Sequence, residues 1–81
     1  MRIVIADDHG IVRSGIRLLL ERQPDLEVVA EAADGIVARD IVVSERPDLA
    51  ILDVKMPGLT GLQATREIKA QVPDTAVLIL S

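Results

Sequence analysis

The chain has 81 residues, a net charge of −4, no cysteine, one histidine and no aromatic residue, so neither disulfides nor a clustered zinc site can staple its small core. A pI near 4.7 argues against the basic face that a nucleic-acid surface needs. No apolar run approaches the roughly 18 residues of a membrane span, and residues 1–20 lack a signal-peptide pattern. The expectation is one small cytoplasmic domain with an interior of Val, Ile, Leu and Ala.

In chain order, Arg2–Ala6 is a short, mostly apolar run closed by Asp7 and Asp8, which suits a parallel strand covered on both faces. Over residues 10–23, Ile11, Val12, Ile16, Leu19 and Leu20 recur at helical steps. Arg13, Arg17 and Glu21 then form a solvated face, Asp8 or His9 caps the start, and Pro24 ends the helix. Residues 26–32, rich in valine and punctuated by charge, predict a strand at a sheet edge. A second helix starts at Asp34-Gly35 with Val37, Ala38, Ile41 and Val42 on its core face, Ile36 and Val43 fitting that face poorly, and Arg46-Pro47 stopping it.

Residues 48–53 predict a third strand that runs into Asp53, followed at once by the turn Met56-Pro57-Gly58. A third helix over 61–72 carries a thin stripe of Leu62, Thr65, Ile68, Lys69 and Val72. Pro73-Asp74 breaks it before a fourth strand over 75–81. The order β-α-β-α-β-α-β favours a parallel sheet with helices on both faces, in which ligands bind beyond the carboxyl ends of the strands. Asp7, Asp8, Asp53 and Ser81 all fall at such ends.

Asp7 and Asp8 alone would serve as a helix cap and a turn acid. With Asp53 at a second strand end, three carboxylates meet at one rim, and their repulsion predicts a hard divalent cation, for which Mg²⁺ suits one or two direct carboxylates. The same cation lets a carboxylate act as a nucleophile on phosphorus. Ser81 is placed to donate a hydroxyl hydrogen bond to a phosphoryl group on Asp53, and Met56 is expected to pack in the core.

Three stretches together carry a resemblance: Ile5-Ala6-Asp7-Asp8-His9; Ile51-Leu52-Asp53-Val54-Lys55-Met56-Pro57-Gly58 with Gly61; and Pro73-Asp74 before Val77-Leu78-Ile79-Leu80-Ser81. Over all 81 residues the chain resembles the response-regulator receiver domains of two-component signalling, which have a flavodoxin-like α/β fold. The phrases Ala6-Asp7-Asp8-His9, Val29-Ala30-Glu31-Ala32-Ala33-Asp34-Gly35 and Gly61-Leu62-Gln63-Ala64-Thr65 look most like the NarL/FixJ subfamily, which usually carries a C-terminal LuxR-type DNA-binding unit.

The resemblance implies strand order 2-1-3-4 for these elements. It implies that Asp53 is the phospho-acceptor for a sensor histidine kinase, a role of self-catalysed phosphoryl transfer at most. It also implies that Asp8 and Asp53 ligate Mg²⁺, that Asp7 holds a water of the cation, and that the Lys55 backbone carbonyl completes the protein ligands. Ser81 matches the family's switch hydroxyl. Gly10 stands where the subfamily often has proline.

A receiver of this family continues through a fourth helix, a fifth strand bearing a phosphoryl-contacting lysine, and a fifth helix. The 81 residues end at Ser81, and their lysines are Lys55 and Lys69. Residues 1–81 are therefore expected to form an incomplete receiver with the nucleophile and metal half of the site but not the lysine half. Residues 77–80 would form an edge without charge, proline or bulge, and the sheet face beside helix one would lie open. A homodimer or larger assembly through either surface is expected. The alternative function is a non-catalytic interaction or oligomerisation unit that keeps the fold. A haloacid-type phosphatase would need Asp-x-Asp rather than Asp7-Asp8, and a dinucleotide-binding domain would need Gly-x-Gly-x-x-Gly after strand one.

Overall fold

A computed structural model describes residues 1–80. Seven elements follow in order: β1 (Arg2–Ala6), α1 (Gly10–Glu21), β2 (Glu27–Ala32), α2 (Gly35–Glu45), β3 (Leu49–Asp53), α3 (Gly61–Gln71) and β4 (Ala76–Leu80). The strands form one parallel sheet in the order β2-β1-β3-β4. The expected flavodoxin-like arrangement and the edge position of β2 are both present. Helix and strand ends differ from the sequence expectation by one or two residues, where capping rather than periodicity decides.

Strand periodicity divides the core in two. Val4, Ala6, Ala50 and Leu52 face α2 and α3, where they pack with Ala38, Val42, Ala64, Ile68 and Val72. Ile3, Ile5 and Ile51 point to the opposite face and pack with Val28 under Ile16 and Leu20 of α1. Val28 and Ala32 lie an even number of residues apart yet join opposite clusters, because the β1–β2 register shifts between Ile3 and Val4, where Val28 is followed in the pairing by Ala30.

The helices bury less than their patterns predict. In α1 no residue is fully buried, and Ile11 is 90% exposed with Leu18 and Leu19 about two-thirds exposed, whereas Ile16 and Leu20 reach the sheet. In α2, Val37 is exposed and the buried residues are Gly35, Ala38 and Val42. Of the stripe expected along α3, Ile68 and Val72 are buried and Gly61 and Ala64 join them, whereas Leu62 and Lys69 face solvent. Small residues line both helices where they approach the sheet closely, so a hydrophobicity stripe read from large side chains misses Ala38 and Ala64.

Arg13 and Arg17 do not form a simple solvated face. Arg13 Nε donates to Glu31 at 3.0 Å and Nη1 to the Asp7 carbonyl at 2.6 Å, while Arg17 bonds both Glu21 and Glu31. The pair ties α1 to the ends of β1 and β2. Among the described residues, no helix is long and apolar enough to cross a membrane.

Candidate functional site

The site is a product of strand register. Ile5 pairs with Ile51 and Ala6 with Leu52, so one step further along each strand come Asp7 and Asp53, both in phase with the isoleucines that face α1. The residue after Asp7 adds Asp8, and the N-cap position of α1 adds His9. Asp7, Asp8, His9 and Asp53 each offer one ligand atom, and these atoms lie within 4.8 Å of one another. Asp7 is buried, the Asp53 side chain is 18% exposed, and Asp8 opens to solvent.

Asp7 is held on every side. Its amide donates to the Ala32 carbonyl at 3.1 Å, its carbonyl accepts from Arg13, and its Oδ1 accepts from the His9 amide at 2.7 Å. These fixed partners hold the buried Asp7 side chain in one position at the edge of the pocket. No side-chain cap bond is made at His9, although it stands at the N-cap of α1, which corrects the capping role expected for it. Its Nδ1 turns to the acids instead, 3.0 Å from Asp7 Oδ1, 3.0 Å from Asp8 Oδ1 and 3.9 Å from Asp53 Oδ2. The hydrogen bond to Asp7, then the charge of Asp8, raise the imidazole above its ordinary pKa.

The loop after β3 is set by close backbone approaches. Val54 N–H donates to the Leu80 carbonyl at 3.0 Å, and Gly61 N–H donates to the Val54 carbonyl at 2.9 Å. The Pro57 carbonyl accepts from Gly35, and Gly58 takes a φ of +82°, a conformation open to glycine. Met56 is buried in the core, as expected of a packing residue. Lys55 is exposed and lines one opening together with His9, Asp53 and Val54. A second opening, between α1 and the end of β4, is lined by Asp7, His9, Val12, Ile16, Asp53 and Leu80. Ser81, expected as the switch hydroxyl, lies outside the described residues.

Sequence reasoning brought together Asp7, Asp8 and Asp53 but missed His9 as a member of the cluster. Its spacing, directly after Asp8 at a helix start, was a signal for either a cap or a ligand. Carboxylates with an imidazole among them suit a divalent cation: hard oxygen donors converge from two strand ends, with Asp8 open to solvent and Asp53 partly exposed beside buried Asp7.

A profile of the response regulator receiver domain matches residues 3–81. The chain belongs to the response-regulator receiver family. This receiver chain is 54% identical over 82 aligned residues to the oxygen regulatory protein NreC of Staphylococcus epidermidis, covering 100% of the chain and 38% of that relative. Among solved structures it is similar to the receiver domain of the putative response regulator NarL from Mycobacterium tuberculosis, with TM-score 0.92 and 36% identity over 96% of the chain and 63% of that one. It also resembles a LuxR-family two-component response regulator from Aurantimonas, with TM-score 0.90 and 44% identity over 96% of the chain and 56% of the other. The receiver chain thus spans well under half the length of the curated relative that it matches.

Proposed function

We propose that this receiver is the phospho-acceptor of a two-component regulator, taking a phosphoryl group from the phosphohistidine of a sensor kinase onto Asp53. The observation that carries the reading is Asp53 itself, an accessible carboxylate at a strand end, in register with buried Asp7 and beside Asp8. In the transfer, an Asp53 carboxylate oxygen bonds to phosphorus as the phosphorus–nitrogen bond breaks. The bond pair leaves with the imidazole nitrogen, which takes up a proton, and an acyl phosphate remains.

Asp8, Asp53 and the Lys55 backbone carbonyl would hold Mg²⁺, with Asp7 fixing one of its waters and Met56-Pro57-Gly58 shaping the adjoining turn. When bound, the cation supplies positive charge against the repulsion between carboxylates and phosphoryl oxygens. Ser81 would report the new charge through its hydroxyl.

Residues 1–81 are read as the first four strands and three helices of one receiver domain. Its parent is read as a cytoplasmic, DNA-binding transcriptional regulator whose nucleic-acid contacts are made outside this acidic segment. The similarity to a LuxR-family regulator supports that assignment.

Intact-mass and peptide analysis after incubation with acetyl phosphate and Mg²⁺ tests the site. One phosphoryl group on the peptide containing Asp53, absent in Asp53→Asn, is expected. A phosphorylated Asp53→Asn chain, or no adduct in the parent regulator, overturns the assignment.

A second reading, self-association, is favoured by the apolar surface of α1 and by Leu78 on β4, which is 48% exposed on an edge strand. Light scattering of the 81-residue chain at micromolar concentration is expected to give a dimer or larger species. A well-folded monomer contradicts it.

A further inference from the structure

Asp8 is the most exposed of the three acids. Its side chain is 35% exposed, and among the described residues its only ion pair is with His9, itself 68% exposed. Its place is therefore set by the backbone on either side, and Arg13 holds both flanks. The Arg13 amide donates to the His9 carbonyl at 3.0 Å, in the first turn of α1, and Arg13 Nη1 donates to the Asp7 carbonyl at 2.6 Å. That carbonyl belongs to the peptide between Asp7 and Asp8, and rotation of this peptide would swing the Asp8 side chain. The guanidinium is itself fixed, because Nε donates to Glu31 of β2 at 3.0 Å and Glu31 also accepts from Arg17.

We infer that Arg13 is a positioning residue for the cation site: it fixes the peptide between Asp7 and Asp8 and so presents the Asp8 carboxylate to the cation that Asp53 shares. The inference rests on the receiver reading of the acidic site and concerns a residue that acts through Asp8 without touching the cation. Charge and position act in opposite directions. A guanidinium near the site repels a divalent cation, so its removal by charge alone tightens Mg²⁺ binding, modestly at physiological salt. Loss of the hold on Asp8 weakens binding, since contacts that orient metal ligands are commonly worth about ten- to a hundredfold in affinity. The sign of the change therefore separates the two. Arg17 is the internal control, because it shares Glu31 but donates to Glu21 rather than to the Asp7 carbonyl.

Titration calorimetry with Mg²⁺ at about 0.15 M salt, on the wild-type 81-residue chain and on Arg13→Met, Arg17→Met and Asp53→Asn variants, tests the inference. Methionine keeps an apolar stem and removes the charge and the donors. Expected is Mg²⁺ binding about fivefold or more weaker in Arg13→Met, and unchanged or tighter in Arg17→Met. A smaller weakening in Arg13→Met, or an equal one in Arg17→Met, overturns the role of Arg13 and leaves the receiver reading intact. If Arg13→Met fails to fold, the side-chain NMR spectrum of the wild type decides: Mg²⁺ is expected to shift the Arg13 Nε–H resonance more than that of Arg17, because the coupling between site and brace is reciprocal. Shifts that are equal or absent overturn the role of Arg13. Failure of the wild-type chain to bind Mg²⁺, or binding indifferent to Asp53→Asn, overturns both.

Discussion

Replacing Gly61 with alanine would put a Cβ 2.3 Å from the Asp53 carbonyl oxygen and 3.2 Å from the Val54 Cα, where ordinary contacts begin near 3.4 Å. These neighbours are backbone, on the loop that carries the candidate phospho-acceptor, so the N-terminus of α3 must move about an ångström or β3 must bend. Overpacking of this kind costs about 1–3 kcal/mol, and alanine's helix preference returns at most about 1 kcal/mol, less in a first turn. A net loss of about 1–2 kcal/mol follows, from a total that for a domain of this size is roughly 4–12 kcal/mol.

The midpoint temperature should fall by about 5–15 °C. Because the chain has no aromatic residue, urea and thermal unfolding must be followed by far-ultraviolet circular dichroism rather than intrinsic fluorescence. Cation affinity should fall too, since the displaced backbone carries Asp53. A Gly61→Ala chain as stable as wild type would refute the close approach on which the geometry of this loop depends.

Gly15 gives the opposite case: a Cβ there meets nothing within 4 Å in the interior of α1, so Gly15→Ala should raise stability by about 0.5–1 kcal/mol in urea denaturation, and a loss would contradict the placement of α1. Thr60 and Gln63 form a reciprocal cap at α3, so Thr60→Ala should cost about 1 kcal/mol in the same assay while Thr60→Ser retains most of it. The Glu31 carboxyl is held below its ordinary range first by Arg17 and then by Arg13, so its stabilising contribution is present above its unfolded pKa and fades as the pH falls through the folded value. The melting-temperature gap between wild type and Glu31→Gln should therefore be open at neutral pH and narrow below about pH 4; a gap independent of pH would contradict the pairing.

The sheet was legible because β1, β3 and β4 are nearly continuous apolar runs with a breaker beside each, while β2 shows as valines punctuated by charge, and the runs of β1 and β3 lead into Asp7 and Asp53. Asp7 and Asp53 share a face for the same reason, since period two carries the phase of Ile5 and Ile51 into the next residues. The buried faces of α2 and α3 were less legible, because Ala38, Gly35, Gly61 and Ala64 make the close approaches while Val37 and Leu62, the more hydrophobic residues, face outward. The bulge between Ile3 and Val4 left no sequence mark, as Val28 and Val29 suit a strand equally well. His9 was misjudged because its backbone does occupy the N-cap, and only the side-chain direction separates a cap from a member of the acidic cluster. Arg13 and Arg17 looked solvated since Glu31, their partner, lies on another element.

Treatment of the acetyl-phosphate-reacted protein with borohydride, followed by peptide sequencing, tests the central claim most directly, because an acyl phosphate on aspartate is reduced to homoserine. Homoserine at position 53 alone, dependent on Mg²⁺, is the result predicted. Homoserine at position 7 or 8, or at none, would contradict the assignment of Asp53 as the acceptor.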